Sequence, residues 1–339
     1  MKQGLYLAFV YIGLVIGAGF ASGREIMEYF NIPSGRDHSG IVLATFLLIV
    51  ICYMILRRAY LSDLSTCDEY LHAVAGRAAR PIKLLMQLYL FCGFFTMLSG
   101  SGALLSQSLM LPSVLGNFLL AFICFLVLVF DLRGVVTVNL VLVPCMIFGI
   151  IYICLCTAVF GAKEAFSFHS LTRGMLTSAI CYVSYNTISA PSVLVPLQKG
   201  ITVRGIRIAA VGGGFVLGLL ILCIWLSQSL CFDALWDSPL PMLKLAAMAG
   251  RRQKQLYALV LFMAICTTAV SQGFGILSGF HLTTRRQKAY GAGVLCLLAL
   301  PFSLVGFSDL VAQLYSFFGV AGLVLTIVIT IDFIRGRES

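Results

Sequence analysis

The sequence predicts an all-α integral membrane protein of about ten transmembrane helices, arranged as two inverted five-helix repeats. Three observations carry this prediction. Hydrophobic residues make up 60% of the 339 residues, charged residues only 11%, and the mean hydropathy is +1.01. Soluble domains are about 45–50% apolar and about 25% charged, so this composition requires lipid as the solvent. Apolar stretches recur along the whole chain, and two of them are interrupted at corresponding places.

Ten apolar stretches are long enough to cross a bilayer, for which about 20 residues suffice. They cover residues 4–30, 39–57, 82–108, 114–131, 134–160, 174–197, 205–229, 253–280, 289–306 and 309–334. We therefore expect a single transmembrane transporter domain over residues 1–339, with one repeat at about 4–160 and the other at about 174–334. An odd number of helices in each half makes the two halves insert in opposite directions. The length leaves no room for a soluble catalytic domain.

The net charge of +10 is explained by cytoplasmic loops that face anionic lipid. No basic stripe is interleaved with aromatic residues, so we expect no nucleic-acid partner. With the N-terminus inside, most of the 23 Lys and Arg residues fall in cytoplasmic loops. This bias predicts a multi-pass protein of the inner (cytoplasmic) membrane with both termini in the cytoplasm. The cluster Arg251-Arg252-Lys254 runs against the rule, because it lies on the predicted outer side.

Cysteine and histidine offer no cofactor chemistry. The 12 Cys are scattered through apolar runs and form no disulfide framework, and the four His have no metal-ligand spacing. We expect no cofactor and no metal site other than one for a coupling ion, Na⁺ or H⁺. The sequence gives no indication of oligomeric partners.

The first span contains Gly17-Ala18-Gly19-Phe20-Ala21-Ser22-Gly23, followed at once by Arg24 and Glu25. Three glycines in seven residues disfavour a helix, each by roughly 0.5–1 kcal/mol relative to alanine. Broken backbone survives in a membrane only where it lines a cavity or meets a ligand. Close helix packing is the alternative, because Gly19 and Gly23 have small-xxx-small spacing. The adjacent charges favour a functional break.

The sixth span holds the matching element, Ser184-Tyr185-Asn186-Thr187-Ile188-Ser189-Ala190-Pro191. Pro191 removes a helical hydrogen bond and pushes Ala190 out of the helical region, yet it fits the first turn of a new half-helix. A simple proline kink is the alternative. Two breaks at corresponding positions of the two halves favour a transporter with a central site.

The run Gly17-Ala-Gly-Phe-Ala-Ser-Gly-Arg-Glu25 closely resembles the signature near the start of the YkvI-type bacterial membrane proteins. These are permeases grouped with the amino acid–polyamine–organocation superfamily. The resemblance in length and hydropathy covers the whole chain. It implies the LeuT-type fold of two inverted five-helix repeats. Where well-studied amino acid permeases often carry Gly-Ser-Gly at the first break, this chain has Gly17-Ala18-Gly19.

Half-helices that end at the membrane midplane present free N–H groups, which bind carboxylates, while an unwound sixth span offers carbonyls and side chains to an ammonium group. Taken singly, each aromatic residue near these breaks is better explained by packing than by a role in binding. We expect the pocket wall to come from Tyr89, Phe94, Phe95, Tyr315 and Phe318. The predicted substrate-binding residues are Gly17, Ala18, Gly19, Ser22, Tyr182, Tyr185, Asn186 and Thr187.

The eighth span contains Ala264, Thr267 and Thr268. In sodium-coupled LeuT-fold transporters, a carbonyl three residues before a Thr/Ser pair on this helix joins carbonyls of the first span around Na⁺, and the resemblance implies the same here. The alternative is that each Thr bonds the backbone of its own helix. If protons couple instead, Glu25 is the titratable residue. Arg24 and Asp309 are predicted to pair as an outer gate.

These features predict an ion-coupled secondary transporter for a small solute, an amino acid or a similar zwitterion. A ligand sensor or accessory protein that has kept the fold without transport is one alternative, and a transporter of another small solute is a second. An enzyme is disfavoured because HExxH, GxSxG and paired-aspartate motifs are missing. A channel would need a filter sequence such as TVGYG, which the chain lacks. A nucleotide-binding GxxxxGK[ST] motif is also missing, so energy must come from an ion gradient or a separate ATPase.

Overall fold

The computed structural model describes residues 2–30, 39–160, 173–236, 238, 240–280 and 282–336. The helices are α1 (Lys2–Val15), α2 (Ala18–Ser22), α3 (Arg24–Phe30), α4 (Ser39–Leu61), α5 (Cys67–Ala75), α6 (Ala79–Leu109), α7 (Ser113–Val129), α8 (Asp131–Phe160), α9 (Arg173–Thr187), α10 (Ala190–Leu197), α11 (Val203–Arg207), α12 (Gly213–Ser229), α13 (Phe232–Leu235), α14 (Pro241–Ala249), α15 (Arg251–Ser278), α16 (Arg285–Phe302) and α17 (Phe307–Arg335). A 3-10 turn joins α5 to α6, and a π-helical turn over Ile208–Gly212 joins α11 to α12.

Each predicted span coincides with one helix or with helices separated by a short break. Within the described residues, six helical stretches are long and apolar enough to cross a membrane: Ser39–Leu61, Cys67–Leu109, Leu140–Ala158, Val203–Ser229, Arg251–Ser278 and Phe317–Arg335. Two shorter apolar helices, Gln3–Val15 and Ser113–Val129, accompany them. The chain is thus a multi-pass, all-helical membrane protein, while the count of ten spans in an inverted repeat stays a prediction.

Helix α15 is the central element of the bundle. Its most apolar window is 83% buried, against 28–67% for the other five candidate spans. It packs against α6, α7, α8 and α14, and it also contacts α1, α2 and α10 of the two interrupted spans. A helix in that position brings its side chains to both interrupted spans at once.

The first span is interrupted twice. Helix α1 ends at Val15, Ile16 and Gly17 are not helical, and α2 begins at Ala18. Helix α2 then ends at Gly23, whose φ of 78° is left-handed, and α3 begins at Arg24. Glycine adopts that conformation without the steric cost that a Cβ would impose. The glycine-rich run therefore breaks the helix, as predicted, but at two points rather than one.

The sixth span breaks between Thr187 and Ala190. Pro191 occupies the first turn of α10, where its missing N–H costs little because the first N–H groups of a helix have no intrahelical partner. The proline therefore starts a half-helix, as predicted, instead of kinking a continuous one.

Two ends of the bundle can be distinguished by contacts between loops. At the end that carries the N-terminus, the Gln3 amide donates to the Lys199 carbonyl, and the Gln198 amide donates to the Leu64 carbonyl over 2.8 Å. At the opposite end, Lys254 donates to the Gln107 carbonyl over 3.3 Å. The basic cluster at the start of α15 therefore lies opposite the N-terminus, where the sequence analysis expected it.

Candidate functional site

The first break lies directly against α15. The Thr268 hydroxyl donates to the Ile16 carbonyl over 3.1 Å, and the Thr267 hydroxyl donates to the Ala264 carbonyl over 3.0 Å. A Cβ placed on Gly17 would lie 3.2 Å from Thr268 Oγ1, so the glycine lets the broken backbone approach this helix closely. Both threonines and Ala264 are buried.

Two pairs of oxygen atoms result on adjacent residues of α15: the Thr268 hydroxyl with the Ile16 carbonyl at the break, and the Thr267 hydroxyl with the Ala264 carbonyl, beside Met146 of α8. Carbonyl and hydroxyl oxygens are ligands for small hard cations. Of the predicted α15 residues, Thr268 contacts the first break, whereas Thr267 follows the alternative, because it bonds a carbonyl of its own helix. A role of Ala264 and Thr267 in binding an ion stays a prediction. Sequence reasoning did not single out Ile16, since a carbonyl donor carries no residue-type signal.

Side chains from other helices hydrogen-bond the backbone near Gly23, at the second interruption of the first span. The Gly23 carbonyl accepts from Gln228 Nε2 over 2.7 Å, and the Ala21 carbonyl accepts from the Tyr257 hydroxyl. Ser22 bonds locally, because its hydroxyl donates to the Gly19 carbonyl over 3.0 Å and accepts from the Arg24 N–H. In this arrangement Ser22 stabilises the turn. The sequence offered no signal for Gln228 or Tyr257 as partners of the break.

At the second break, polar side chains bond the backbone of their own helix. Asn186 Nδ2 donates to the Tyr182 carbonyl over 3.0 Å, and the Thr187 hydroxyl donates to the Val183 carbonyl over 2.7 Å. The Ser192 hydroxyl donates to the Ser189 carbonyl in the break itself. The structure therefore uses Asn186 and Thr187 to stabilise the end of α9, and their predicted contact with substrate stays untested.

An aromatic cluster lies between the two broken spans. The ring centroid of Tyr182 is 5.5 Å from that of Tyr29, and the ring of Tyr89 is 5.4 Å from Tyr185 and 5.0 Å from Phe318, all in edge-to-face geometry. These rings come from α3, α6, α9 and α17, so the cluster joins the first, third, sixth and tenth predicted spans. We refer to these five residues as the aromatic cluster.

Glu25 lies in the aromatic cluster, in the first turn of α3, and is only 3% exposed. Tyr29 lies one turn further along α3 and packs edge-to-face on Tyr182, so Glu25 is on the side of α3 that meets α9. The sequence analysis named Glu25 as the titratable residue if protons couple transport, and that role stays a prediction.

Only some of the residues predicted to line the pocket lie together in the structure. Tyr89 and Phe318 belong to the aromatic cluster, and Phe94 is buried against α15 near Gly273. Phe95 instead stacks on Phe302, with 5.4 Å between the ring centroids. The side chain of Tyr315 lies outside the described part of the structure.

The structure does not bring the predicted gate residues together. Arg24 forms an ion pair with Glu28 over 2.5 Å and donates to the Trp236 carbonyl over 3.3 Å. Asp309 is exposed in the first turn of α17, beside Gly306. An intrahelical partner four residues away is available to Arg24 without any movement, which accounts for the difference. A pairing formed in another state stays a prediction.

A cavity of about 200 Å³ opens at the N-terminal end of the bundle, between α5, α6, α10 and α15. Its polar lining includes Ser192, which bonds the second break, and Ser278 near the end of α15. The ion pair of Asp68 with Lys83, 2.5 Å long, lies at its mouth. At the opposite end, α14 covers the turn at Gly23 through Met242. The structure therefore opens toward the end that carries the N-terminus.

Sequence comparison finds relatives along almost the whole chain. The uncharacterized membrane protein YkvI of Bacillus subtilis (strain 168) is 27% identical over 323 residues, covering 94% of this chain and 92% of the relative. The uncharacterized protein YyaD of the same organism is 25% identical over 333 residues and covers 96% of both chains. No protein-family model matches the chain.

Solved structures with the same fold are transporters, not enzymes. A substrate-bound Na⁺-coupled sialic acid symporter in an outward-open state aligns with a TM-score of 0.69 at 14% identity, over 97% of this chain and 78% of that chain. MhsT in complex with L-phenylalanine aligns with a TM-score of 0.67 at 14% identity, over 96% and 87%. A manganese transporter of Eremococcus coleocola aligns with a TM-score of 0.55 at 15% identity, over 98% and 85%. The chain therefore has the LeuT-like fold that the first-span motif predicted.

Proposed function

We propose that this chain is an ion-coupled secondary transporter of the inner membrane, which moves an amino acid or a similar zwitterion by alternating access. The observation that carries the proposal is the bond from Thr268 to the Ile16 carbonyl, because it joins the break of the first span to the central helix α15. Polar backbone atoms at a break inside a membrane protein need partners, and an ion or substrate bound there would supply them.

Sodium is the coupling ion that this geometry favours. The Ile16 and Ala264 carbonyls with the Thr267 and Thr268 hydroxyls would hold Na⁺ between the first span and α15. Bound there, the cation would stabilise one packing of these two elements over the other, which is how binding energy shifts a conformational equilibrium. The Na⁺-coupled symporter among the structural neighbours supports this choice.

The substrate is proposed to lie beside the ion. Its carboxylate would meet the N–H groups that follow the first break, at Ala18 and Gly19, and the aromatic cluster would form the opposite wall. The structural neighbour that was solved with L-phenylalanine supports an amino acid as substrate. If both termini lie in the cytoplasm, as we propose, the cavity near Ser278 opens inward, as an inward-facing state requires.

Uptake into proteoliposomes tests the proposal. The purified protein is given pooled radiolabelled amino acids under an imposed Na⁺ gradient, then a proton gradient, then neither. We expect Na⁺-dependent uptake that Thr267→Ala/Thr268→Ala abolishes, because both hydroxyl ligands are removed. Thr330→Ala is the matched control, since Thr330 bonds the Thr326 carbonyl of its own helix far along α17.

Other outcomes of the same experiment favour the alternatives. Uptake driven only by protons would contradict Na⁺ coupling and transfer that role to Glu25. No uptake under any of the three conditions would contradict the amino acid assignment and favour a ligand sensor or the transport of another small solute.

A further inference from the structure

The surroundings of Glu25 indicate which chemical group the central site holds. Glu25 follows the left-handed turn at Gly23, and its neighbour Arg24 directs its guanidinium to Glu28 and the Trp236 carbonyl instead. The carboxylate is therefore inside the bundle, among aromatic rings contributed by four helices. A buried carboxylate has the charge that attracts a cation, and aromatic rings are the surroundings in which proteins recognise organic ammonium groups.

The hydroxyl of Tyr182 is the second observation. It is fully buried and makes no hydrogen bond to any described residue, and the Tyr182 ring packs against Tyr29, which lies one turn along α3 from Glu25. A buried hydroxyl without a partner is costly, so its place on this side of the carboxylate's helix needs an explanation. An ammonium group carries only donors, and it would donate to the hydroxyl oxygen and to the carboxylate together.

The rings around these two groups complete the arrangement. Tyr29 lies edge-to-face with Tyr182, and Tyr89 contacts both Tyr185 and Phe318. The faces of aromatic rings attract alkylated and primary ammonium groups, and the attraction grows when water is excluded. Burial of Tyr89, Tyr182 and Phe318 provides that exclusion.

We propose that the positively charged nitrogen of the substrate binds between the Glu25 carboxylate and the Tyr182 hydroxyl, enclosed by the aromatic cluster. This inference rests on the proposed function and narrows its substrate class to compounds that carry a cationic amine or alkylammonium group. The first break is separated from Glu25 by the five-residue α2, about 7.5 Å long, and by Gly23 and Arg24 after it. A substrate that reached both would therefore carry its cationic nitrogen at a distance from its carboxylate.

Direct binding to the purified full-length protein tests the assignment without requiring flux. Choline is compared with its neutral carbon isostere 3,3-dimethylbutan-1-ol, and butylammonium with 1-butanol, by calorimetry at constant Na⁺. We expect the wild-type protein to bind each cation at least about tenfold more tightly than its neutral counterpart, because the carboxylate attracts both positive charges, aromatic rings attract the trimethylammonium group, and butylammonium also donates hydrogen bonds. Glu25→Gln should remove the preference, and Glu25→Asp should keep it.

Tyr182→Phe should weaken cation binding several-fold. The matched controls are Glu28→Gln, which removes a carboxylate one turn along the same helix, and Tyr53→Phe, which removes a hydroxyl from a ring packed on Phe333. Both controls should bind the probes as the wild type does. Size-exclusion profiles establish that the variants fold, and the wild-type comparison of charged with neutral probes stands without any variant.

Equal affinity for charged and neutral probes, binding of neither at millimolar concentration, or an unchanged preference in Glu25→Gln would overturn the inference. Failure of the proposed function has a different signature. A protein that binds the cations through Glu25 and transports nothing would be a sensor that retains this site. A protein that transports without preferring positively charged substrates would support the proposed transport function and contradict the cation site at Glu25.

Discussion

Gly17 lies where the broken backbone packs against Thr268 of α15. Its φ of −94° and ψ of −171° are accessible to any residue, so the close contact with Thr268, and not backbone strain, favours glycine here. An added Cβ would lie 3.2 Å from Oγ1 and 3.3 Å from Cγ2 of Thr268. At these distances Thr268 must shift by a few tenths of an ångström, which disturbs its hydrogen bond to the Ile16 carbonyl.

We predict that Gly17→Ala raises the Na⁺ concentration for half-maximal uptake about fivefold or more, because it disturbs a ligand hydrogen bond worth about 1 kcal/mol. Uptake measured at a series of Na⁺ concentrations gives this value. Gly212→Ala is the matched control, since a Cβ at Gly212 meets no other atom within 4 Å. An unchanged Na⁺ dependence in Gly17→Ala would contradict an ion site at this break.

Individual residues of the site could be predicted only where their type carries a signal. Glu25 could be singled out because charged side chains are rare in apolar spans, and Thr267 and Thr268 because the pair resembles that of sodium-coupled LeuT-fold transporters. Their roles stay predictions. The Ile16 carbonyl and the Gln228 amide that bonds Gly23 could not be found, because backbone oxygens are common to all residues and the Gln228 contact joins distant parts of the chain. The ion pair of Arg24 with Glu28 was not predicted either, although the two residues are one turn apart on the same helix.

At the scale of helices, the sequence predicted both breaks because glycine and proline act on local backbone geometry. Packing between helices was less predictable. Gly322 on α17 lies so close to α9 that a Cβ would be 2.2 Å from the Ser184 carbonyl oxygen. The sequence did not distinguish this glycine from others in the apolar spans, because its role depends on which helix packs against it.

Gly322→Ala should therefore destabilise the protein by about 1–3 kcal/mol, the usual cost of adding a methyl group to a filled interface. Thermal unfolding in detergent, followed by intrinsic fluorescence, measures the change. Gly293→Ala on α16 serves for comparison, because the nearest atom to its Cβ would be in Phe125 at 3.8 Å. That variant should be as stable as the wild type or slightly more stable, since alanine favours helix over glycine. Equal melting temperatures for the two variants would contradict the close packing of α17 on α9.

For the whole molecule, the cavity near Ser278 and the covered turn at Gly23 lie at opposite ends of the bundle. Alternating access needs this asymmetry, because a central site open at both ends would dissipate the gradient that drives transport. The overall class and the positions of the helices followed from hydropathy, which reports burial in lipid. Which end is open did not follow, since it depends on small differences in packing between two states of one sequence.

The sidedness of the cavity gives the last prediction. In a variant without its 12 native cysteines, Ser278→Cys should react with a membrane-impermeant thiol reagent only from the cytoplasmic side, because Ser278 lines the open cavity. Gln107→Cys, at the exposed end of α6 beside Lys254, should react only from the outside. Labelling of right-side-out and of inverted vesicles distinguishes reaction from the outside from reaction from the cytoplasmic side.

Substrate and Na⁺ together should change the labelling rate of Ser278→Cys and leave that of Gln107→Cys constant, since only the cavity changes between inward- and outward-facing states. Reaction of both positions from one side would contradict the orientation, and constant rates at both would contradict alternating access through this cavity.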